Sequence, residues 1–255
     1  MKSHMFITKQ GNSSAKIRII WLHGWGQNHS SLLKLSSLFN NEAENYLIDL
    51  PGFGQSAAPT EIWGTIDYTK SLIAWLQALP PKETYIIGHS FGGRIAIQAA
   101  QMHPNAMYGI ILIAAAGLKK KRTMLFKIKA MTLKYISTSL RIIDKYLHTA
   151  FKEKFSRNFG SRDYKATQGV MRGIFVKTVN EDLSTIAAFI TVPTLLIYGT
   201  EDQETPSQFG EIYNKLIKDS SFFALPGFDH HNILSLGRHQ VYNLITQFLQ
   251  RAQTC

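Results

Sequence analysis

The chain has 255 residues, 45% of them hydrophobic and 18% charged, with a formal net charge of +11. That length and apolar content suit one larger α/β domain and exclude an intrinsically disordered chain. No apolar run approaches the roughly 18 residues of a membrane span, and a lone cysteine, Cys255, excludes an intrachain disulfide or a cysteine-based metal site. The first residues, MKSHMFITKQGNSS, lack the apolar stretch of a secretory signal, so a cytoplasmic chain is expected.

Short β-branched and aliphatic runs alternate with helix-like stretches, the pattern of a mostly parallel α/β sheet flanked by helices. Strands are predicted at 16–22 (KIRIIWL), 46–50 (YLIDL), 84–87 (TYII), 109–114 (GIILIA), 193–198 (PTLLIY) and 221–225 (SFFAL). Helices are predicted near 30–40, 67–79, 91–103, 207–218 and 238–251. Each strand runs into a turn with Gly or Pro, and such turns at strand C-termini gather ligand and catalytic groups in open α/β sheets. Between about 117 and 190 the alternation lapses. There MLFKIKAMTLKYISTSLRIIDKYL spaces its apolar residues three to four apart, as a helix does. The division expected is a core of 1–117 and 191–255 with a helical, basic cap of 118–190 over the sheet's active edge.

Charge is concentrated in that insertion. Residues 118–177 carry sixteen basic and three acidic side chains, a local +13, against −2 for the rest. Three readings stand for it. One is a solvated helix face, with Lys119, Lys120, Lys121 and Arg122 as an exposed turn. Another is a landing site for an acidic carrier protein or another anionic substrate. The third is a basic amphipathic helix on a membrane surface. No zinc-finger, RNP-like or P-loop pattern accompanies the charge, so nucleic acid is not expected as a partner.

The strongest chemical signal is Gly88-His89-Ser90-Phe91-Gly92, a G-x-S-x-G that follows a predicted strand and opens a predicted helix. That context marks a nucleophile elbow, with Ser90 lifted above the sheet and the Phe91 N–H at a helix N-terminus. A serine nucleophile needs a base, and the base needs an orienting acid. Asp202, flanked by Glu201 and Glu204, follows the strand PTLLIY, and His230-His231 follow SFFAL. The order Ser, acid, His is thereby satisfied.

The motifs HGWG (23–26), DLPGFGQS (49–56), GHSFGG (88–93), LLIYGTEDQETP (195–206) and LPGFDHH (225–231) resemble, in order and spacing, those of the α/β-hydrolase fold superfamily, single-domain serine esterase type. HGWG is also similar to carboxylesterases that cleave pimeloyl-carrier-protein methyl ester. The stretch GSRDYKATQGVMRGIFVKTVNEDL resembles bacterial hydrolases without assigned substrates. The resemblance implies an α/β-hydrolase sheet with a helical cap inserted after its sixth strand. It also implies a Ser90, Asp202, His230 triad and an oxyanion hole of the Trp25 and Phe91 N–H groups. His23, Gly24, Gly88, His89 and Gly92 fall about the elbow and substrate pocket, His23 and His89 as packing or hydrogen-bonding residues.

Asp229 replaces the glycine usual before the base and a second histidine follows, which leaves His231 as a rival to His230; Glu201 and Glu204, in the same turn as Asp202, are its rivals. Asp49 is read as structural, and Ala-Ala-Ala-Gly after 109–114 offers no acid. A serine nucleophile excludes the dehalogenase and epoxide hydrolase chemistries of the fold, which use a carboxylate there. The expected reaction is hydrolysis of a carboxylic ester or thioester with an apolar acyl part, without cofactor or metal. C–C bond hydrolysis, acyl transfer and non-catalytic ligand binding are the alternatives.

Overall fold

The computed structural model describes residues 5–119 and 162–252, together with 132, 136, 138 and 139. Most of the helix predicted over 124–147, residues 120–122 of the basic turn, and Cys255 lie outside the described residues. Among the described residues, seven strands form one sheet: β1 (Phe6–Gly11), β2 (Ile17–Leu22), β3 (Ala43–Asp49), β4 (Glu83–His89), β5 (Gly109–Ile113), β6 (Thr194–Gly199) and β7 (Ser220–Leu225). Their spatial order is β1-β3-β2-β4-β5-β6-β7. β1 runs antiparallel to β3, and every other pairing is parallel.

Side chains alternate between two cores. Ile20, Leu22, Ile86, Ile110, Leu112 and Tyr198 pack with the helices Thr65–Leu76, Phe91–Met102 and Ser207–Leu216. Ile19, Trp21, Ile87, Ile111 and Ile197 pack on the other face with Leu35 and with Val241, Ile245 and Leu249 of the helix Arg238–Ala252. All six residues of β2 are buried, as a strand covered on both faces requires. β2 lies between β3 and β4, so the chain winds outward in both directions from it. The crevice beyond the C-terminal ends of β2 and β4 is the place where such a sheet accepts a ligand.

Three details depart from the sequence-based expectation. β1 was not among the predicted strands, because FITKQG carries few apolar residues and, at the sheet edge, stays partly exposed. The insertion follows the fifth strand of this chain and not a sixth, since a single strand, β1, precedes β2. The helix predicted near 30–40 is broken into the 3-10 turn His29–Leu32, the short helix Leu33–Ser36 and the 3-10 turn Ser37–Phe39. Ser36 and Ser37 hydroxyls donate to the carbonyls of Leu33 and Lys34, competing with the backbone there.

The described part of the insertion comprises the helices Arg162–Ala166, Gly169–Asn180 and Ser184–Ala187. Its end is tied to the sheet's helices through Glu181. The Glu181 carboxylate accepts the Thr65 N–H at 3.1 Å, and its carbonyl accepts from the buried Arg94 at 3.2 Å. Lys177 Nζ donates to the Ile62 carbonyl at 3.2 Å.

At the N-terminal ends of the central strands, buried Glu44 receives Lys9 Nζ at 2.7 Å, Lys82 Nζ at 3.0 Å and Arg18 Nε at 3.3 Å. Burial raises the Glu44 pKa, but the hydrogen bonds and charges of Lys82 and Lys9 outweigh it, and the carboxyl is lowered from 4.5 to about 2. A carboxyl held low in the folded state adds stability above its ordinary pKa. That stability is lost as pH falls through 4.5 towards about 2. Glu44→Gln also leaves the buried Arg18 without its carboxylate. It should lower the unfolding free energy by roughly 2–3 kcal/mol near neutral pH. Urea titrations should show that gap to wild type closing as the pH is taken down through this window.

Candidate active site

Ser90 joins β4 to the helix Phe91–Met102 with its backbone at φ 50, ψ −107, a region a non-glycine residue rarely adopts. Hydrogen bonds on both sides hold that turn. Ser90 N–H donates to Ile113 O at 3.1 Å, and Ser90 O accepts from Ala116 N–H at 3.1 Å. The glycines around it answer close approach. A Cβ at Gly88 would lie 2.5 Å from Gly92 O, and one at Gly92 would lie 2.2 Å from Leu22 O. Gly92 N–H in turn donates to His23 O at 3.1 Å, so the helix start is docked on the end of β2.

His230, in the loop after β7, is buried and reaches both neighbours. Its Nε2 is 2.9 Å from Ser90 Oγ, and its Nδ1 is 2.7 Å from Asp202 Oδ2. Asp202, in the loop after β6, also accepts the N–H groups of Glu204 at 2.7 Å and Thr205 at 2.8 Å on Oδ1. Burial raises the Asp202 pKa, but the hydrogen bond and charge of His230, with the N–H and hydroxyl of Thr205, outweigh it and hold the carboxyl below 3.8. His231 is 64% exposed, with its Nε2 3.6 Å from Glu204 Oε1. Glu201 and Glu204 are exposed, although Glu204 Oε2 stands 3.5 Å from His230 Nε2. The buried line from Ser90 thus runs through His230 to Asp202 and leaves the rival residues outside it.

Two other histidines near the elbow, His23 and His89, are fixed in neutral forms. Leu50 N–H donates to His23 Nε2 at 3.0 Å, which leaves the proton on Nδ1, 2.7 Å from Gly24 O. Burial lowers the His23 pKa to about 4. His89 Nε2 donates to the His230 carbonyl at 2.9 Å, and burial lowers its pKa to about 3. Each therefore supports a loop and does not exchange a proton near neutral pH. Asp49 is fully buried and accepts from the His29 N–H at 2.6 Å, His29 Nδ1 at 2.8 Å and the Gln55 N–H at 2.9 Å. It joins the loop that carries Trp25 to the loop that carries Phe53.

No turn, loop or cap hydrogen bond among the described residues uses the N–H of Trp25 or Phe91. Around them stands an aromatic cluster. The Trp25 ring lies 4.9 Å from Phe53, 5.1 Å from Phe91 and 5.1 Å from Phe175, and Tyr68 lies 5.2 Å from Phe91. Phe175 comes from the helix Gly169–Asn180, within the segment expected to cap the sheet's active edge. Phe53, Tyr68 and Thr205 were not anticipated. Their places follow from contacts between segments far apart in the chain, which no local pattern encodes. Gly92→Ala tests the docking of the elbow. With a backbone carbonyl in the way, it should destabilise by at least ~3 kcal/mol and lower the melting temperature by several degrees. A melting curve equal to wild type would refute the close approach.

Comparisons with known proteins bear on the family and the fold. The model of the α/β-hydrolase fold family matches residues 17–235. The pimeloyl-[acyl-carrier protein] methyl ester esterase of Wigglesworthia glossinidia brevipalpis is 26% identical over 220 residues, covering 80% of this chain and 82% of that protein. The AB hydrolase superfamily protein YisY of Bacillus subtilis is 27% identical over 249 residues, with 90% of each chain covered. Among solved structures, an esterase from Exiguobacterium antarcticum superposes with a TM-score of 0.74 at 18% identity, covering 97% of this chain and 96% of that one, a likeness of fold. With its sheet order and the family match over most of its length, the chain belongs to the α/β-hydrolase fold family.

Proposed function

We propose that this protein is a serine hydrolase that cleaves a carboxylic ester, or a thioester, of an apolar acyl group. The observation that carries the reading is the unbroken hydrogen-bonded line from Ser90 Oγ through His230 to Asp202, at 2.9 and 2.7 Å. His230 takes the Ser90 proton as the oxygen attacks the carbonyl, and Asp202 holds the imidazole tautomer and supports the imidazolium. The N–H groups of Trp25 and Phe91 receive the oxyanion, a donation whose removal costs about 3–4 kcal/mol where a single donor has been deleted in such enzymes. His230 then passes its proton to the leaving group, and a water molecule, deprotonated by the same imidazole, releases the acyl group from Ser90.

The aromatic cluster of Trp25, Phe53, Phe91 and Phe175 supports an apolar acyl part. Residues 118–190 act in this reading as a cap whose described helix Gly169–Asn180 supplies Phe175. The esterase names of the relatives support ester over amide chemistry. The local +13 of residues 118–177 would attract an anionic partner such as an acidic acyl carrier, and salt would screen that attraction.

A panel of p-nitrophenyl esters of increasing chain length tests the reading. Wild type should turn them over, and Ser90→Ala or His230→Ala should lower the rate by ~10³-fold or more. Asp202→Asn should be severely impaired, while His231→Ala should stay within a few-fold of wild type, roughly the range of a residue outside the reacting line. Turnover that survives in Ser90→Ala would end the serine reading. An active His230→Ala beside an inactive His231→Ala would move the base to the neighbouring residue. Ester products in added alcohol would make the protein a transferase.

A further inference from the structure

Thr205 takes no part in the steps above, yet it is 3% exposed and crowded by polar atoms of the reacting line. Its hydroxyl oxygen is 2.8 Å from Asp202 Oδ2, 3.1 Å from His230 Nδ1 and 2.9 Å from the Ala114 carbonyl. Asp202 is held unequally. Oδ1 receives two backbone N–H groups, from Glu204 and Thr205, whereas Oδ2, the oxygen that faces His230, has among the described residues His230 Nδ1 and the Thr205 hydroxyl.

A hydroxyl carries one proton. His230 Nδ1 is a donor while it is bonded to Asp202, so the Thr205 proton goes either to Asp202 Oδ2 or to Ala114 O. Donation to Oδ2 goes to the ionised and nearer acceptor, at 2.8 Å against 2.9 Å for the Ala114 carbonyl. It also gives a buried carboxylate oxygen a second donor. The oxygen of the same hydroxyl packs against Ala114, at the end of β5. Ala114 has φ 46, one of two positive-φ non-glycine residues among those described, the other being Ser90. Backbone in that region persists only where its surroundings over-determine it. Ala114 N–H is bonded to Ile197 O, and Thr205 is the side chain that meets its carbonyl.

We propose that Thr205 is a positioning residue. Its hydroxyl donates to Asp202 Oδ2 and fixes that oxygen beneath His230 Nδ1, while its own oxygen lies against the left-handed end of β5. The inference rests on the reading of Ser90, His230 and Asp202 as one catalytic line. Valine matches the shape of threonine without the hydroxyl, and serine keeps the hydroxyl without the methyl group.

Thr205→Val should therefore lower kcat by ~10–100-fold with KM within about twofold, and Thr205→Ser should recover the rate to within about fivefold of wild type. In the resting protein, the downfield proton resonance of His230 Nδ1–H should shift or broaden in Thr205→Val and persist in Thr205→Ser. Melting curves accompany each variant, and Thr205→Ala replaces Thr205→Val if the latter does not fold. A Thr205→Val enzyme with wild-type kcat and an unmoved resonance would overturn the proposal. So would a Thr205→Ser as impaired as Thr205→Val. If wild type cleaves no ester, the ester reading fails instead, and the resonance still tests the contact.

Discussion

The approach of a helix to a strand end governs this site. The helix Phe91–Met102 comes so near the end of β2 that Leu22 O would lie 2.2 Å from any Cβ on residue 92, and Gly92 N–H bonds His23 O across the gap. That proximity brings the elbow that carries Phe91 beside the loop after β2 that carries Trp25, whose ring stands 5.1 Å from that of Phe91. It also forces the sharp turn that puts Ser90 at positive φ. The serine and both candidate oxyanion donors are therefore products of a single packing contact.

Around that contact, the chain divides its histidines by burial and hydrogen bonding. His23 and His89 are enclosed, held neutral and bonded to backbone, so each stiffens a loop: the first joins residues 23–24 to Leu50, the second joins the elbow to the His230 carbonyl. His230 alone of the three has both ring nitrogens on side chains that suit proton transfer. Asp202 is kept ionised by the same bonds that orient it, since His230 and Thr205 outweigh the effect of burial. Asp49 does for the loops around Trp25 and Phe53 what Asp202 does for the imidazole: it is a buried carboxylate whose lone pairs are taken up by N–H groups.

Much of this was legible along the chain because the informative residues sit next to one another. G-x-S-x-G between a strand and a helix states its own geometry, and fully buried parallel strands such as IRIIWL announce themselves by continuous apolar runs. β1 did not, since an edge strand with FITKQG needs no such run. The helix near 30–40 was read whole because its apolar spacing is helical, while the serine hydroxyls that interrupt it act through the backbone. Thr205 was beyond reach for a different reason. Its hydroxyl matters through Ala114 O, 91 positions away, and through an aspartate oxygen whose other partner is 28 positions away. Phe53 and Phe175 likewise meet Trp25 only once two separate loops and a helix converge.

The central claim is that Ser90 is activated by His230, and covalent labelling with a fluorophosphonate followed by peptide mass mapping tests it most directly. The account predicts a single adduct on Ser90 in the wild-type protein, and no adduct in the same time when His230 is replaced by Ala. An adduct on another residue, or equal labelling of Ser90 with and without His230, would contradict it.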